Sequence, residues 1–269
     1  MLVGRDDFQA GLSGVGIPPG TPVIAHASLS AFGSIEGGAG TVVEALLEAF
    51  PTVIMPAFTY KTMVIPEVGP PNNAMFYGSG RASNQLAQIY HAGMPVDRLI
   101  GTVPEHLRQH PLAQRSSHPI LSFAGVNAGF ALERQSLEDP LAPLQTLMDA
   151  GGWVLLLGVD LTTNTSIHLG EKLAGRRQFL RWALTGEGVV ECPGFPGCSE
   201  GFEALRVHLK GYLHSNPLGK SKIEAVPMDA VIDATRALLA EDRLALLCDR
   251  SYCERCYEIR RIDSLLPPA

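Results

Sequence analysis

Several features that mark whole protein classes are scarce in this chain. Charged residues make up only 18% of its 269 residues and hydrophobic ones 46%. That excludes a disordered chain, in which low hydrophobicity and high charge prevent core formation. Long apolar runs are missing: the cleanest, Trp153 to Leu157, has five residues, against ~20 for a membrane helix. Asp6 and Asp7 stand where a secretory leader would be apolar. The expectation is therefore a non-exported, cytoplasmic protein with no membrane partner. Basic residues are in deficit, 21 against 27 acidic, for a net charge of −6. No basic run exceeds Arg176-Arg177 or Arg260-Arg261, which argues against a nucleic-acid partner. The acidic balance suits a cationic small molecule. Cysteines number five, an odd count that favours thiols or metal ligands over disulfides in a reducing compartment. Glycine and proline are scattered without period, and neither a repeat nor a linker divides the chain. Residues 1–269 read as a single domain.

Short apolar runs of strand type alternate with helical patterns. Strands are expected at 22–27, 52–56, 120–124, 153–159 and 244–247, the fourth buried on both faces because it is continuously apolar. Helices are expected at 39–50, from Thr102, at 143–149, 166–173, 201–212 and 229–240. Residues 60–80 carry Gly and Pro without a period and read as a long loop. This alternation predicts an α/β fold, a mixed sheet covered by helices.

Four constellations carry chemistry. His26-Ala27-Ser28-Leu29-Ser30 with Gly37-Gly38-Ala39-Gly40-Thr41 reads as strand, small-residue loop and helix start. It is either a cradle for phosphate oxygens or an ordinary capped turn, and it matches no standard nucleotide motif. Arg115-Ser116-Ser117-His118-Pro119 offers a guanidinium and hydroxyls to a phosphate, or is a polar loop around a buried histidine. Asn164-Thr165-Ser166-Ile167-His168-Leu169-Gly170-Glu171 follows the apolar strand. Its cap places His168 and Glu171 on one helix face at the sheet edge where such folds bind ligands. A carboxylate there stabilises the imidazolium formed when the ring accepts a proton; a surface ion pair or two metal ligands are the alternatives. Finally, Cys192 and Cys198 with Cys253 and Cys256 have spacing suited to a structural zinc that staples the 190–269 region, free thiols being the alternative. Gly197-Cys198-Ser199-Glu200-Gly201 fits the G-x-S-x-G pattern, but Cys192 to Pro196 before it contains two prolines and cannot be a central strand. Ser199 is better read as a helix cap.

In order and spacing, His26-x-Ser28-Leu29-Ser30-x-x-Gly33, Gly37-Gly38, Met55-Pro56-x-Phe58-Thr59, Arg115-Ser116-x-His118-Pro119-x-x-Ser122-Phe123, Leu156-Leu157-Gly158-Val159 and Asn164-Thr165-x-x-His168-x-x-Glu171 resemble the aminoglycoside 3-N-acetyltransferase family over residues 20–175. The resemblance implies an acetyl-CoA-dependent N-acetyltransferase with an α/β fold distinct from the GNAT enzymes. It implies His168 as general base with Glu171 orienting it, and Ser28, Leu29, Ser30, Arg115 and Ser116 on the CoA side. Transfer is expected to be direct, onto an amine of an aminoglycoside or a similar, cationic small molecule, with the oligomeric state left open. Ser30 and Thr165 are candidate oxyanion donors. Tyr60, Glu67, Glu133, Glu138 and Asp139 are candidates to line an acidic acceptor site. The cysteine-rich second half departs from the family pattern. Two other readings stand beside this one: a metal-dependent hydrolase using His168, Glu171 and another histidine such as His118, and a zinc-stapled binding module without chemistry.

Overall fold

The computed structural model describes residues 2–265. The first third comprises β1 (Leu2–Val3), α1 (Arg5–Gly14), β2 (Val23–Ala27), β3 (Ser34–Ile35), α2 (Ala39–Ala49), β4 (Val53–Pro56) and β5 (Met63–Val64). Then come α3 (Thr102–Gln109), β6 (Ala113–Arg115), β7 (Phe123–Val126), α4 (Gly129–Leu132), α5 (Ala142–Asp149), β8 (Trp153–Leu157) and α6 (Thr165–Leu173). The remainder is β9 (Phe179–Thr185), β10 (Gly188–Phe195), β11 (His214–Leu218), β12 (Ser221–Pro227), α7 (Met228–Glu241) and α8 (Glu254–Asp263).

The main sheet has the order β11-β12-β8-β2-β4-β7-β6. Its centre, β8-β2-β4, is parallel, and antiparallel pairs extend it on both sides. Central strands alternate their side chains between two apolar layers, as a two-residue period requires. Ile24, Ile54, Val154 and Leu156 join the layer built with α5, α6, α7 and α8. Val23, Met55, Leu155 and Leu157 join the layer built with α1, α2 and α3. The fold is thus α/β with a mixed sheet covered on both faces. A smaller sheet, β10-β9-β5, stands beside it.

Three local expectations are corrected. The strand expected at 120–124 is assigned only from Phe123, because the imidazole Nδ1 of buried His118 accepts the N–H groups of Ile120 (3.1 Å) and Leu121 (3.0 Å). The strand expected at 244–247 is a turn: Leu246 has φ 66°, and the carbonyls of Arg243 and Ala245 accept hydrogen bonds from Arg176 instead of a sheet partner. The helix expected at 201–212 is a 3-10 helix over Phe202–Leu209, and its Phe202 N–H bonds the Ser199 carbonyl rather than the hydroxyl. Among the described residues no helix is long and apolar enough to cross a membrane.

Candidate active site

Parallel strands β2, β4 and β8 present their carboxyl ends on one edge, where open α/β sheets place ligands. A cleft of about 1200 Å³ opens there, lined by residues that follow each of those strands, among them Ser28, Phe58 and Thr163. The loops after β2 and β8 are drawn together: the Ser28 N–H donates to the Leu157 carbonyl at 2.9 Å. Gly158 makes this approach feasible. It has φ 69°, and a Cβ there would lie 2.7 Å from Ala31 Cβ, so a larger residue would be both strained and obstructed.

Helix α6 carries the central side chain into this cleft. Asn164 caps it, its Oδ1 accepting the Ser166 N–H at 3.0 Å. His168 lines the cleft and packs edge-on against Phe202 at 4.7 Å. Its Nδ1 lies 2.8 Å from Glu171 Oε2. A carboxylate only accepts, so Nδ1 is the donor of this pair, and the neutral tautomer that fits it has its lone pair on Nε2. Glu171 is 1% exposed, and a buried carboxylate requires compensation. Arg176 supplies it, donating from Nη1 to Glu171 Oε1 at 2.7 Å and from Nη2 to the carbonyls of Arg243 and Ala245 at 2.7 Å each. Local sequence explains the arrangement. Helix α6 closes with a Schellman motif: the Gly175 N–H bonds Lys172 O, the Arg176 N–H bonds Glu171 O, and Gly175 sits at φ 80°. The reversal turns Arg176 back onto the last helical turn. Sequence reading found His168 and Glu171 but missed Arg176; the helix-ending glycine followed by arginine was the available signal.

Ser28, Leu29, Ser30 and Thr165 also line the cleft. Arg115 and Ser116 do not. Arg115 Nη2 donates to Ala57 O (2.6 Å), Nε to Ser122 Oγ (3.0 Å) and Nη1 to the carbonyls of Met94 and Ala92. Ser116 Oγ accepts the Phe123 N–H at 2.8 Å. Both therefore fasten the loops beside β7 rather than facing a ligand in the cleft. The expected acidic lining is also missing: of its five candidates only Tyr60 lines the cleft, and Asp139 pairs with Lys172 at 2.7 Å. Burial pushes the Tyr60 hydroxyl up to about 12, against the pull of nearby Arg255. His118 is buried elsewhere and is not among the lining residues, so the three-ligand arrangement of a hydrolytic metal site with His168 and Glu171 is not formed.

The cysteines regroup. Sγ atoms of Cys198, Cys248, Cys253 and Cys256 lie within 4.8 Å of one another, and none is in a disulfide. Cys192, expected in this set, lies instead in the apolar layer of β10 at 1% exposure, where burial pushes its thiol up to about 12. Cys248 replaces it, because the turn at Leu246 delivers the chain to the α8 knuckle. Within the cluster the hydrogen bond with Cys256 pulls the Cys198 thiol down to about 5 and pushes that of Cys256 up, two sides of one shared proton. No cysteine lines the cleft.

A family model described as aminoglycoside 3-N-acetyltransferase matches residues 24–240. The SPbeta prophage-derived aminoglycoside N(3')-acetyltransferase-like protein YokD of Bacillus subtilis is 32% identical over 176 residues, covering 62% of this chain and 64% of that protein. Among solved structures, the apoenzyme of aminoglycoside acetyltransferase AAC(3)-IVa superposes with a TM-score of 0.79 at 22% identity, covering 97% of this chain and 98% of the other. AAC-IIIb in binary complex with CoASH superposes with a TM-score of 0.72 at 22% identity, covering 90% and 97%. The chain belongs to the aminoglycoside 3-N-acetyltransferase family.

Proposed function

We propose that the protein transfers the acetyl group of acetyl-CoA directly to an amine, with His168 as general base. The observation that carries this reading is the linked series His168, Glu171 and Arg176 at the rim of a cleft large enough for both reactants. An ammonium cannot attack a thioester until it loses a proton. His168 Nε2 accepts it as the nitrogen bonds to the acetyl carbonyl carbon. Glu171, held by Arg176, stabilises the resulting imidazolium and keeps the ring oriented. Ser30 and Thr165 supply hydroxyls for the tetrahedral oxyanion, which collapses as the CoA thiolate leaves and takes up the second proton lost by the nitrogen. Direct transfer is favoured because no cysteine lines the cleft and, among the described residues, no hydroxyl there is hydrogen-bonded to a histidine as a serine-type covalent mechanism requires; the Thr162 hydroxyl donates to Asp160 within the turn that precedes α6. Ser28, Leu29 and Ser30, with the start of α2 at Gly38, are the CoA-side candidates, since a helix start offers N–H groups to phosphate oxygens. The family name and the CoASH complex of a relative support this choice of donor.

His168→Ala is expected to lower acetyl transfer by at least ~10²-fold in a thiol-release assay, while acetyl-CoA still raises the melting temperature. A variant with near-normal rates removes His168 from the role.

The cysteine cluster is proposed to hold a structural zinc. A tetrahedral site with Zn–S of about 2.3 Å needs sulfurs ~3.8 Å apart, and four thiols within 4.8 Å fit that with small adjustment. The ion would tie the 196–199 loop, the turn after α7 and the start of α8 into one wall of the cleft.

A further inference from the structure

The cleft carries the wrong charge for a polycation. Its lining side chains include three guanidinium groups, Arg98, Arg181 and Arg255, and a single carboxylate, Glu200, which is already paired with Arg250 at 2.6 Å. Arg98 precedes Gly101, where a Cβ would lie 3.5 Å from the Ala27 carbonyl, so it belongs to the Ser28–Ser30 side assigned above to CoA. Arg181 and Arg255 form a separate pair that shares the ring of Phe195, at 5.1 and 5.9 Å from its centroid. Among the described residues no carboxylate lies within 4.0 Å of either.

The two arginines differ in what they have left to offer. Arg181 is 5% exposed, and its terminal nitrogens donate to the carbonyls of Asn73 (3.1 Å), Ala74 (3.3 Å) and Leu180 (2.7 Å). It is a fixed positive charge; burial and the like charge of Arg255 both disfavour its protonated form. Arg255 bonds protein only through Nη1, to Gly197 O at 2.9 Å and Pro196 O at 3.5 Å. Its Nε and Nη2 have no protein acceptor among the described residues, and the side chain lines the cleft. Arg255 and His168 line the same cleft, and Gly197, whose carbonyl Arg255 holds, lies beside the carboxylate that pairs with His168: a Cβ on Gly197 would lie 3.9 Å from Glu171 Oε2. A guanidinium with two unspent donors beside a fixed second cation suits an oxyanion. The same pair repels an aminoglycoside's ammonium groups.

We infer that the acceptor is an amine that also bears an oxyanion, a carboxylate or a phosphate, which docks on Arg255 while its nitrogen meets His168. This rests on the acetyl-transfer reading of the same cleft and narrows its substrate class. The knuckle between Cys253 and Cys256 carries Arg255, so the cysteine cluster fixes where that anion sits.

The test is a thiol-release assay with acetyl-CoA on the full chain. Acceptors are ω-amino carboxylates of graded length, their carboxamides, aminoalkyl phosphates and a panel of aminoglycosides. The wild-type chain is expected to favour an anionic amine over its neutral counterpart by at least ~10-fold in kcat/KM, the scale of one charge-assisted contact; the phosphate arm shows which oxyanion is preferred. Arg255→Gln is expected to erase that preference and Arg255→Lys to retain part of it. Acetyl-CoA should raise the melting temperature of all three proteins equally. Equal rates with acid and amide on the wild-type chain, a measurement that needs no variant, overturn the inference. So does preferred transfer to aminoglycosides, or loss of acetyl-CoA stabilisation in Arg255→Gln, which would move Arg255 to the donor side. If acetyl-CoA stabilises the protein but no anionic amine is acetylated, the inference fails and the acetyl-transfer reading stands. If acetyl-CoA has no effect on the wild-type chain, the acetyl-transfer reading itself fails.

Discussion

His26 and His118 are each buried with Nε2 unpartnered among the described residues. Burial lowers them from 6.5 to about 3 and about 4, respectively, so both rings are neutral in the folded protein near pH 7. The unfolded chain gains these protons below about pH 6.5 and the native state does not. Their contribution to stability is therefore full above that pH and is lost as pH falls towards 4, by on the order of 1.4 kcal/mol per unit for each ring. Urea midpoints at pH 7, 6 and 5 should fall in that order. His118→Asn, which keeps an acceptor for the Ile120 and Leu121 N–H groups, should shallow the slope. A midpoint that does not change between pH 7 and 5 contradicts this account. His168 differs from both in that a carboxylate, Glu171, faces its Nδ1.

At the scale of elements, the cysteine cluster makes a discriminating prediction. Cys248→Ser and Cys253→Ser are expected to abolish bound zinc and lower the melting temperature, whereas Cys192→Ser leaves zinc at one per chain. Metal analysis of the purified variants decides it: loss of zinc in Cys192→Ser would restore the spacing-based ligand set, and no zinc in the wild-type chain would end the proposal. Spacing could not identify Cys248, because its delivery depends on the left-handed turn at Leu246, which apolar Leu244-Ala245-Leu246-Leu247 disguises as a strand. Other elements were legible for clear reasons. Strand β8 is continuously apolar because both its faces are covered, and α6 announces itself by the capping run Asn164-Thr165-Ser166, of which Asn164 is the cap. Strand β12 was missed because Glu224 interrupts its apolar run. That carboxylate is 2% exposed and is neutralised at 2.8 Å each by Lys222 of the same strand and by Arg206, which lies 18 residues earlier in the chain and which no local pattern reveals. The acidic acceptor lining expected from net charge failed for a related reason: overall charge does not say which side chains face a cleft.

For the whole molecule, the single-domain reading yields an optical test. The two tryptophans report on different sheets, Trp153 on β8 and Trp182 on β9. The sheets share one apolar layer, in which Phe179, Ala183 and Cys192 pack with Val154 and Leu156. Trp153→Phe and Trp182→Phe, each leaving a single fluorophore, should therefore give coincident denaturant transitions, as a cooperative unit requires. Separated midpoints would mean that the small sheet unfolds independently and that the chain has two units.

The main sheet also partitions the consequences of mutation. Helices α1, α2 and α3 lie behind it, while α6 and the cysteine wall lie in front. Conservative replacements at Phe8, Leu46 or Leu107 should register as thermal tolerance with turnover intact, whereas replacements at Ile167 or Phe202 should disturb turnover before thermal tolerance. Evolutionary drift can therefore accumulate on the rear face away from the starts of α2 and α3, which line the cleft, while the front face keeps its chemistry.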